Sequence, residues 1–432
     1  MIGNLLMIIA LITISIFFGL MLFSTKNKNQ LYIQFILLLF PFLGIDLFPS
    51  WISVTIFDFC TMVFVILFYK NNTQQYNGNR IYLNLTIILA IFTVAGTLNS
   101  EYYTRENSSS LIQLLTIFIF AKIIIDEVIS NENFINKILD SIRVTLIFSL
   151  IFLVAQFIFG PAFSIAKSQN INVDGIAGIR YPSFFQDPQK YAQFLSATSF
   201  LLLIKKNEAF RLSKVNIILF VLSIAALMFT GGRAAFGGWI VGLIILIIIG
   251  NKKYRSSIII ACLLIIPGIV IFADQIPMFK RASVSDSFDF RYLIWQDAYK
   301  IFLDNPILGI GTGNYSNYVA VHNPDQFWIA YNEITIFDHP ESGYLKLLTE
   351  YGAFGFITII GLIIYPIIIG FKKYQVNQNI TILIFIAAIA TWLIGFYTVY
   401  SFGDVRIKVL IVTIVGMLIA NQSKIKEVEI EQ

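Results

Sequence analysis

Apolar residues run along the chain in blocks of about 15–22, separated by short polar or charged segments. A block of that length covers a hydrocarbon core of about 30 Å at about 1.5 Å per residue. Such blocks lie at approximately 4–23, 31–48, 52–69, 81–98, 111–125, 144–166, 191–204, 215–230, 236–250, 257–273, 353–371, 379–400 and 405–420. The pattern predicts an all-α membrane protein, a single polytopic bundle of about 12–14 transmembrane helices filling residues 1–432. No basic n-region or small-residue cleavage site flanks the first block, so it reads as a retained span. Between two blocks, residues 126–143 put Val128, Ile135, Ile138, Leu139 and Ile142 on one helical face. That spacing predicts a helix lying on the membrane surface.

One connection breaks the pattern of short loops. Residues 274–342 are too many for a structureless link. Within them Phe288, Tyr292, Trp295, Tyr299 and Phe302 recur at helical spacing, and Asn305 to Gly313 is a Gly-rich turn. His339-Pro340-Glu341 then opens a second helical pattern through Tyr344, Leu347, Leu348 and Tyr351. This predicts a folded, partly helical cap. The stripe of Tyr292, Trp295 and Tyr299 is read first as seating that cap on the bundle, and second as a surface for stacking sugar rings.

Composition agrees with the block pattern. Hydrophobic residues make up 57% and charged residues 13%, with a mean hydropathy of +0.78. Soluble domains carry about twice that charged fraction, so a soluble enzyme, a disordered chain and a collagen-like fibre are excluded. The net charge of +5 makes no case for nucleic acid, because the basic residues sit in short clusters between blocks. Those clusters fall in alternate connections: Lys26/Lys28, Lys70/Arg80, Lys137/Arg143, Lys205 to Lys214, Lys252 to Arg255, Lys372/Lys373 and Lys424/Lys426. They are expected on the cytoplasmic side, which puts the 274–342 loop on the extracytoplasmic side. Cys60 and Cys262 lie inside apolar blocks without ligand-like neighbours, so neither a metal site nor a disulfide framework is indicated.

Arg180, Arg233 and Arg291 fall on the side where arginine is disfavoured. Arg233 sits in Thr230-Gly231-Gly232-Arg233-Ala234-Ala235, a turn of small residues joining two blocks. It either snorkels to headgroups or binds an anion that needs close backbone approach. A guanidinium suits phosphate, since its fork donates two hydrogen bonds and keeps its charge. Arg291 has an ion pair with Asp289 or Asp297 as its plainer role, and Arg180 that of a solvated loop residue. Of the two histidines, His322 before Asn323-Pro324-Asp325 reads as a surface turn. Pro340 suits the first position of a helix, which would place His339 at a helix N-terminus, where the dipole favours the neutral imidazole that a general base requires. A P-loop, a Ser–His–Asp order and a metal-ligand spacing are all lacking, and Gly309-x-Gly311-x-Gly313 is not a dinucleotide fingerprint. The chemistry on offer is arginine, histidine and carboxylate, with no metal and no cofactor.

Four stretches resemble the O-antigen polymerase/O-antigen ligase family of bacterial membrane glycosyltransferases. They are Arg180 to Gln186-Asp187-Pro188; Thr230-Gly231-Gly232-Arg233-Ala234; Arg291-Tyr292-Leu293-Ile294-Trp295 leading to Pro306 through Tyr315; and His339-Pro340-Glu341-Ser342-Gly343-Tyr344-Leu345 leading to Glu350-Tyr351-Gly352. The resemblance covers roughly residues 170–370, and the third and fourth stretches are its most specific. It implies a metal-independent transferase in the bacterial plasma (inner) membrane, active at the extracytoplasmic face. The implied substrate is an oligosaccharide on undecaprenyl diphosphate, handled among membrane lipids. A flippase and a chain-length regulator are the protein partners it suggests. By resemblance, Arg233 and Arg291 bind the diphosphate and His339 deprotonates the acceptor hydroxyl, while Arg180, Glu341 and Tyr344 complete the substrate-contacting set. Family members often have Asn after the histidine. Here Pro340-Glu341 stands there, which makes Glu341 a rival base.

Transfer from a diphosphate builds negative charge on the leaving group, so fixed arginines stabilise the transition state more than the ground state. Direct displacement, with the base on the opposite side of the anomeric carbon, gives inversion. The leading expectation is a polymerase of lipid-linked repeat units, because a second lipid diphosphate would employ the extra arginine, Arg180. The alternatives are the ligase, which moves the finished glycan to lipid A–core or another acceptor, and a transporter of polyprenyl-linked glycan. The transporter reading lacks an internal repeat.

Overall fold

The computed structural model describes residues 2–47, 53–69, 80–101, 105–165, 179–204, 213–250, 255, 286–322, 327–330, 333–336 and 339–423. The block expected at 257–273 and residues 274–285 of the long loop lie outside these. Among the described residues there are fourteen α-helices and one two-stranded hairpin. The helices are α1 (Ile2–Phe23), α2 (Lys28–Leu38), α3 (Ile56–Leu67), α4 (Arg80–Leu98), α5 (Arg105–Ser130), α6 (Phe134–Phe159) and α7 (Pro188–Leu201). They continue as α8 (Lys214–Phe229), α9 (Arg233–Ile249), α10 (Asp286–Asp304) and α11 (Tyr315–His322). After strands β1 (Phe327–Ala330) and β2 (Glu333–Ile336) come α12 (Gly343–Asn377), α13 (Ile380–Phe396) and α14 (Val405–Ser423).

The chain is an all-α, multi-pass membrane protein. Ile81–Leu98, Phe134–Phe159, Gly343–Asn377 and Val405–Gln422 are long and apolar enough to cross a bilayer. Ile8–Phe23, Lys214–Phe229, Arg233–Ile249 and Ile380–Phe396 are apolar but shorter. Two expected spans, 31–48 and 52–69, are not continuous helices. Helix α2 has 11 residues and α3 has 12, each too short to cross alone. Pro41 lacks an amide hydrogen and confines the residue before it, so the chain passes into a 3₁₀ turn at Phe40–Phe42. Asp46 then pairs with Thr55 in an isolated bridge before α3 starts.

The surface helix expected over 126–143 is also replaced. Helix α5 runs on to Ser130, the chain turns, and α6 begins at Phe134. Val128, Ile135, Ile138, Leu139 and Ile142 are all buried in the core. Their apolar face meets other helices, so no membrane surface is needed to cover it.

Helices α13 and α14 form the centre. Some 78% of the apolar window of α14 is buried, against 22% of that in α4, which sits at the periphery. Helix α13 is buried on nearly all sides and packs on α9 and α7. Gly238 and Gly242 allow α9 to approach it closely: a methyl group at Gly238 would lie 2.3 Å from the Thr391 carbonyl oxygen. Small residues four apart are the usual means of bringing two membrane helices together.

Helix α12 is broken at Gly352, which has φ 62° and ψ −173°. The break frees carbonyls that an intact helix would use internally. Ile310 N–H donates to the Thr349 carbonyl at 2.9 Å, Gly311 N–H to Glu350 at 3.1 Å, and Ala353 N–H to Pro306 at 2.8 Å. The Pro306–Gly313 turn thus plugs the break. A methyl group at Gly352 would come within 2.3 Å of the Ile307 carbonyl oxygen. The two most specific stretches of the sequence are specific to each other.

The cap has a small core of its own, built from Ala298, Ile301, Ile310, Tyr315 and Val319. Ile294, Ala298 and Ile301 form the seating face of α10. Tyr292 and Tyr299 are 60% and 52% exposed, so most of the aromatic stripe does not seat the cap as first expected. Trp295 is the exception and packs edge-on against Tyr397 at 5.4 Å. His322 ends α11 on the surface, with Nε2 2.9 Å from Glu101.

Candidate active site

Glu341 is the centre of the site. Its Oε2 lies 3.3 Å from Arg291 Nη2, and its Oε1 lies 3.6 Å from His339 Nε2. All three side chains keep about a sixth to a quarter of their surface exposed. One carboxylate therefore joins a cation on the cap helix to the imidazole preceding α12.

The local backbone differs from the sequence expectation. Helix α12 begins at Gly343, capped by Ser342, whose hydroxyl accepts from Leu345 N–H. Pro340 and Glu341 precede the helix, and Glu341 takes a left-handed conformation at φ 50°. Serine is a better N-cap than histidine, because its short side chain reaches back to the amides of the first turn. His339 and Glu341 are thus held by the approach to the helix and lie outside its first turn.

Arg233 is the first residue of α9. The turn before it is built by Arg180, whose Nε donates to the Thr230 carbonyl at 2.8 Å, while Tyr181 N–H donates to Phe229. Gly231 takes φ 67° directly over the Arg180 side chain, and a methyl group at Gly232 would meet Ala192 at 2.4 Å. Only glycines fit both places. Helix α7 starts beside this turn, with Asp187 capping Gln189 N–H and Pro188 at the first helical position.

Arg180 is 2% exposed. Burial pushes its guanidinium below the usual arginine range; Asp187 and Glu341 oppose this, while Arg291 and Arg233 add to it. Arg233 in turn feels the charge of Arg291. The three arginines, His339 and Glu341 thus gather at one end of the bundle. Arg180 shapes the turn that presents Arg233, and its burial is not that of a solvated loop residue. Tyr344 is not drawn into the cluster: its hydroxyl donates to the Leu393 carbonyl at 2.7 Å and its ring packs on Phe396.

Three residues beside the cluster, Tyr400, Lys346 and Glu350, have no site role in the sequence reading, although Glu350 lies in its fourth stretch. The Tyr400 ring lies 6.3 Å from that of His339. Lys346 Nζ is 5.5 Å from the centre of the Tyr400 ring and 2.9 Å from Glu350 Oε1. The signal available was a Lys and a Glu four residues apart on an otherwise apolar helix, a position where charge is rarely idle.

Residues 218–360, from α8 into α12, match the family model described as O-antigen ligase. This stretch is an O-antigen ligase family domain. It contains Arg233, Arg291, His339 and Glu341, whereas Arg180 and Tyr400 lie outside it. No curated protein matches the chain. The O-antigen ligase family supports an enzyme of glycosyltransferase type, working in a membrane on a lipid-linked glycan.

Proposed function

We propose that the protein is a metal-independent glycosyltransferase that polymerises undecaprenyl-diphosphate-linked repeat units into a surface polysaccharide. It acts at the extracytoplasmic face of the bacterial plasma membrane. The bridge from Arg291 through Glu341 to His339, with Arg180 and Arg233 near it, carries the transferase part of this reading and serves a polymerase and a ligase alike; Arg180, buried against the Thr230 carbonyl, is not exposed to the second lipid diphosphate that the sequence suggested for it.

In this reading Arg233 and Arg291 hold the donor diphosphate. The acceptor hydroxyl attacks the anomeric carbon while its proton passes to His339. The bond from that carbon to the phosphate oxygen breaks, and undecaprenyl diphosphate leaves with the electron pair, its charge met by the two guanidinium groups. Glu341, already engaged by Arg291, orients the imidazole and stabilises the imidazolium that the proton transfer creates. Arg180 acts through the Thr230–Arg233 turn. Partial exposure of the Arg291–Glu341 contact leaves a phosphate room to displace the carboxylate.

The family description favours a second reading, ligation of a finished glycan to lipid A–core or another acceptor. Purified full-length protein in liposomes, supplied with lipid-linked repeat units from the producing cells, separates the two. A ladder of lengthening lipid-linked products supports polymerisation. Transfer only when lipid A–core is added would assign the ligase, and no product with either acceptor would overturn both.

A further inference from the structure

Helix α10 has three faces. Ile294, Ala298 and Ile301 are buried against the protein. Gln296, Lys300 and Asp304, four residues apart, share an exposed polar face. Between the two run Tyr292, Tyr299 and Leu303, at spacings of seven and four and each more than half exposed. A seat, a polar side and an apolar stripe with tyrosines between them are what a helix at a bilayer surface requires, since tyrosine favours headgroup level.

The contacts of α10 put it at that level. Trp295, in its middle, meets Tyr397, the residue that caps the end of α13. Just beyond its end, the Leu308 carbonyl lies against Gly96, in the last turn of α4, and the Pro306 carbonyl accepts from Ala353 N–H of α12. Helix α10 therefore runs along the ends of spans and does not rise away from them. Ile307 continues its stripe, more than half exposed, towards Leu98 of α4 and Phe354 and Ile357 of α12, all exposed to the same degree or more. Phe354 stacks on Phe92 of α4 at 5.1 Å, so these two spans share one lipid-facing surface. The stripe of α10 is continuous with it. Leu303 and Ile307 have nothing to offer a sugar hydroxyl, which fits the stripe to lipid and not to glycan.

We propose that α10 lies in the membrane interface, with Tyr292, Tyr299, Leu303 and Ile307 resting on the lipid of the adjoining leaflet. Arg291, next to Tyr292, is thereby fixed at the depth of lipid phosphates. This second step rests on the reading of Arg291 as a diphosphate ligand.

Spin labelling tests the placement. Full-length protein without its native cysteines (Cys60→Ala, Cys262→Ala) receives a nitroxide through Tyr299→Cys, Leu303→Cys or Lys300→Cys and is reconstituted in phosphatidylethanolamine–phosphatidylglycerol vesicles. At positions 299 and 303, collisions with oxygen should exceed those with a water-soluble nickel chelate several-fold, and at position 300 the order should reverse. Labels at 299 and 303 as open to the chelate as that at 300 would overturn the placement. Shielding that appears only when the free repeat-unit oligosaccharide is added would overturn it in favour of a glycan surface. This readout needs no turnover, so it holds or fails independently of the reaction assigned to the site. Leu303→Glu, which puts a charge into the stripe, should raise the KM for the lipid-linked donor in the same vesicles about tenfold with kcat kept. An unchanged KM would overturn the step from the stripe to Arg291.

Discussion

Arg291 and Arg406 are both arginines paired with a carboxylate, and they are built in opposite ways. Arg406 is 5% exposed: Nε and Nη2 grip the two oxygens of Asp404 at 2.8 and 2.6 Å, and Nη1 donates to the Phe184 carbonyl at 2.8 Å. Its guanidinium also stacks on the Phe185 ring at 4.5 Å. Every nitrogen of that group is committed to the protein. Arg291 instead meets Glu341 through a single contact at 3.3 Å, with both side chains partly exposed. A satisfied, desolvated arginine holds a fold together, while a loosely paired one at a surface can exchange its partner for a ligand. Charge placement in the sequence singles out Arg291 and passes over Arg406.

The sharpest way to break that contrast is to remove each arginine. Arg291→Ala and Arg233→Ala should each lower transfer by about 10²–10³-fold with the protein still accumulating in the membrane. Lysine should restore each only in part, because a point charge does not reproduce the fork. Arg406→Ala should instead strand Asp404 and destabilise the fold by about 3–5 kcal/mol, read as loss of folded protein in a thermal melt. Normal turnover in Arg291→Ala would place that residue with Arg406. His339→Ala is expected to lose transfer and keep donor binding, whereas Glu341→Gln retains some turnover. The reverse ranking in the same assay would make the carboxylate the base.

Smaller effects sharpen the comparison. Gly352→Ala should cost about 1–3 kcal/mol, because it combines a strained φ with a clash against the Ile307 carbonyl. Burial alone would raise the Asp404 carboxyl, but the Arg406 guanidinium outweighs it and holds the group below the usual carboxylate range. That stabilisation is complete above about pH 4 and disappears as the pH falls through the lower folded value. Asp404→Asn should therefore melt earlier than wild type at neutral pH, with the gap closing in acid. The smallest expected effect is that of EDTA, which should leave transfer unchanged. Activity lost to EDTA and restored by a divalent cation would contradict the metal-independent reading.

Much of the arrangement was legible in the sequence because it was local. Block length and composition announce a membrane bundle, and Asp187-Pro188 announces the start of α7. Thr230-Gly231-Gly232-Arg233 announces a tight turn ending in a cation. What could not be read depends on contacts distant in the chain. Apolar content alone does not reveal that residues 31–48 and 52–69 fold as half-length helices around Pro41. Nor does it show that 126–143 is buried by its neighbours. Tyr400 meets His339 across some sixty residues, and nothing in the local pattern at either position marks the other. Arg406 was concealed by its span, since one arginine hardly lowers the hydropathy of residues 405–420.

The break in α12 has a mechanical consequence. From Ser342 to Gly352 the helix is a rod of about 15 Å. One end carries the segment bearing His339 and Glu341, and the other is clasped by the Pro306–Gly313 turn that follows α10 and Arg291. The turn's backbone hydrogen bonds at the broken end tie the cap to the same short rod whose other end holds the segment of His339 and Glu341, so a single piece of helix links the two parts of the chain that meet at the Arg291–Glu341 contact.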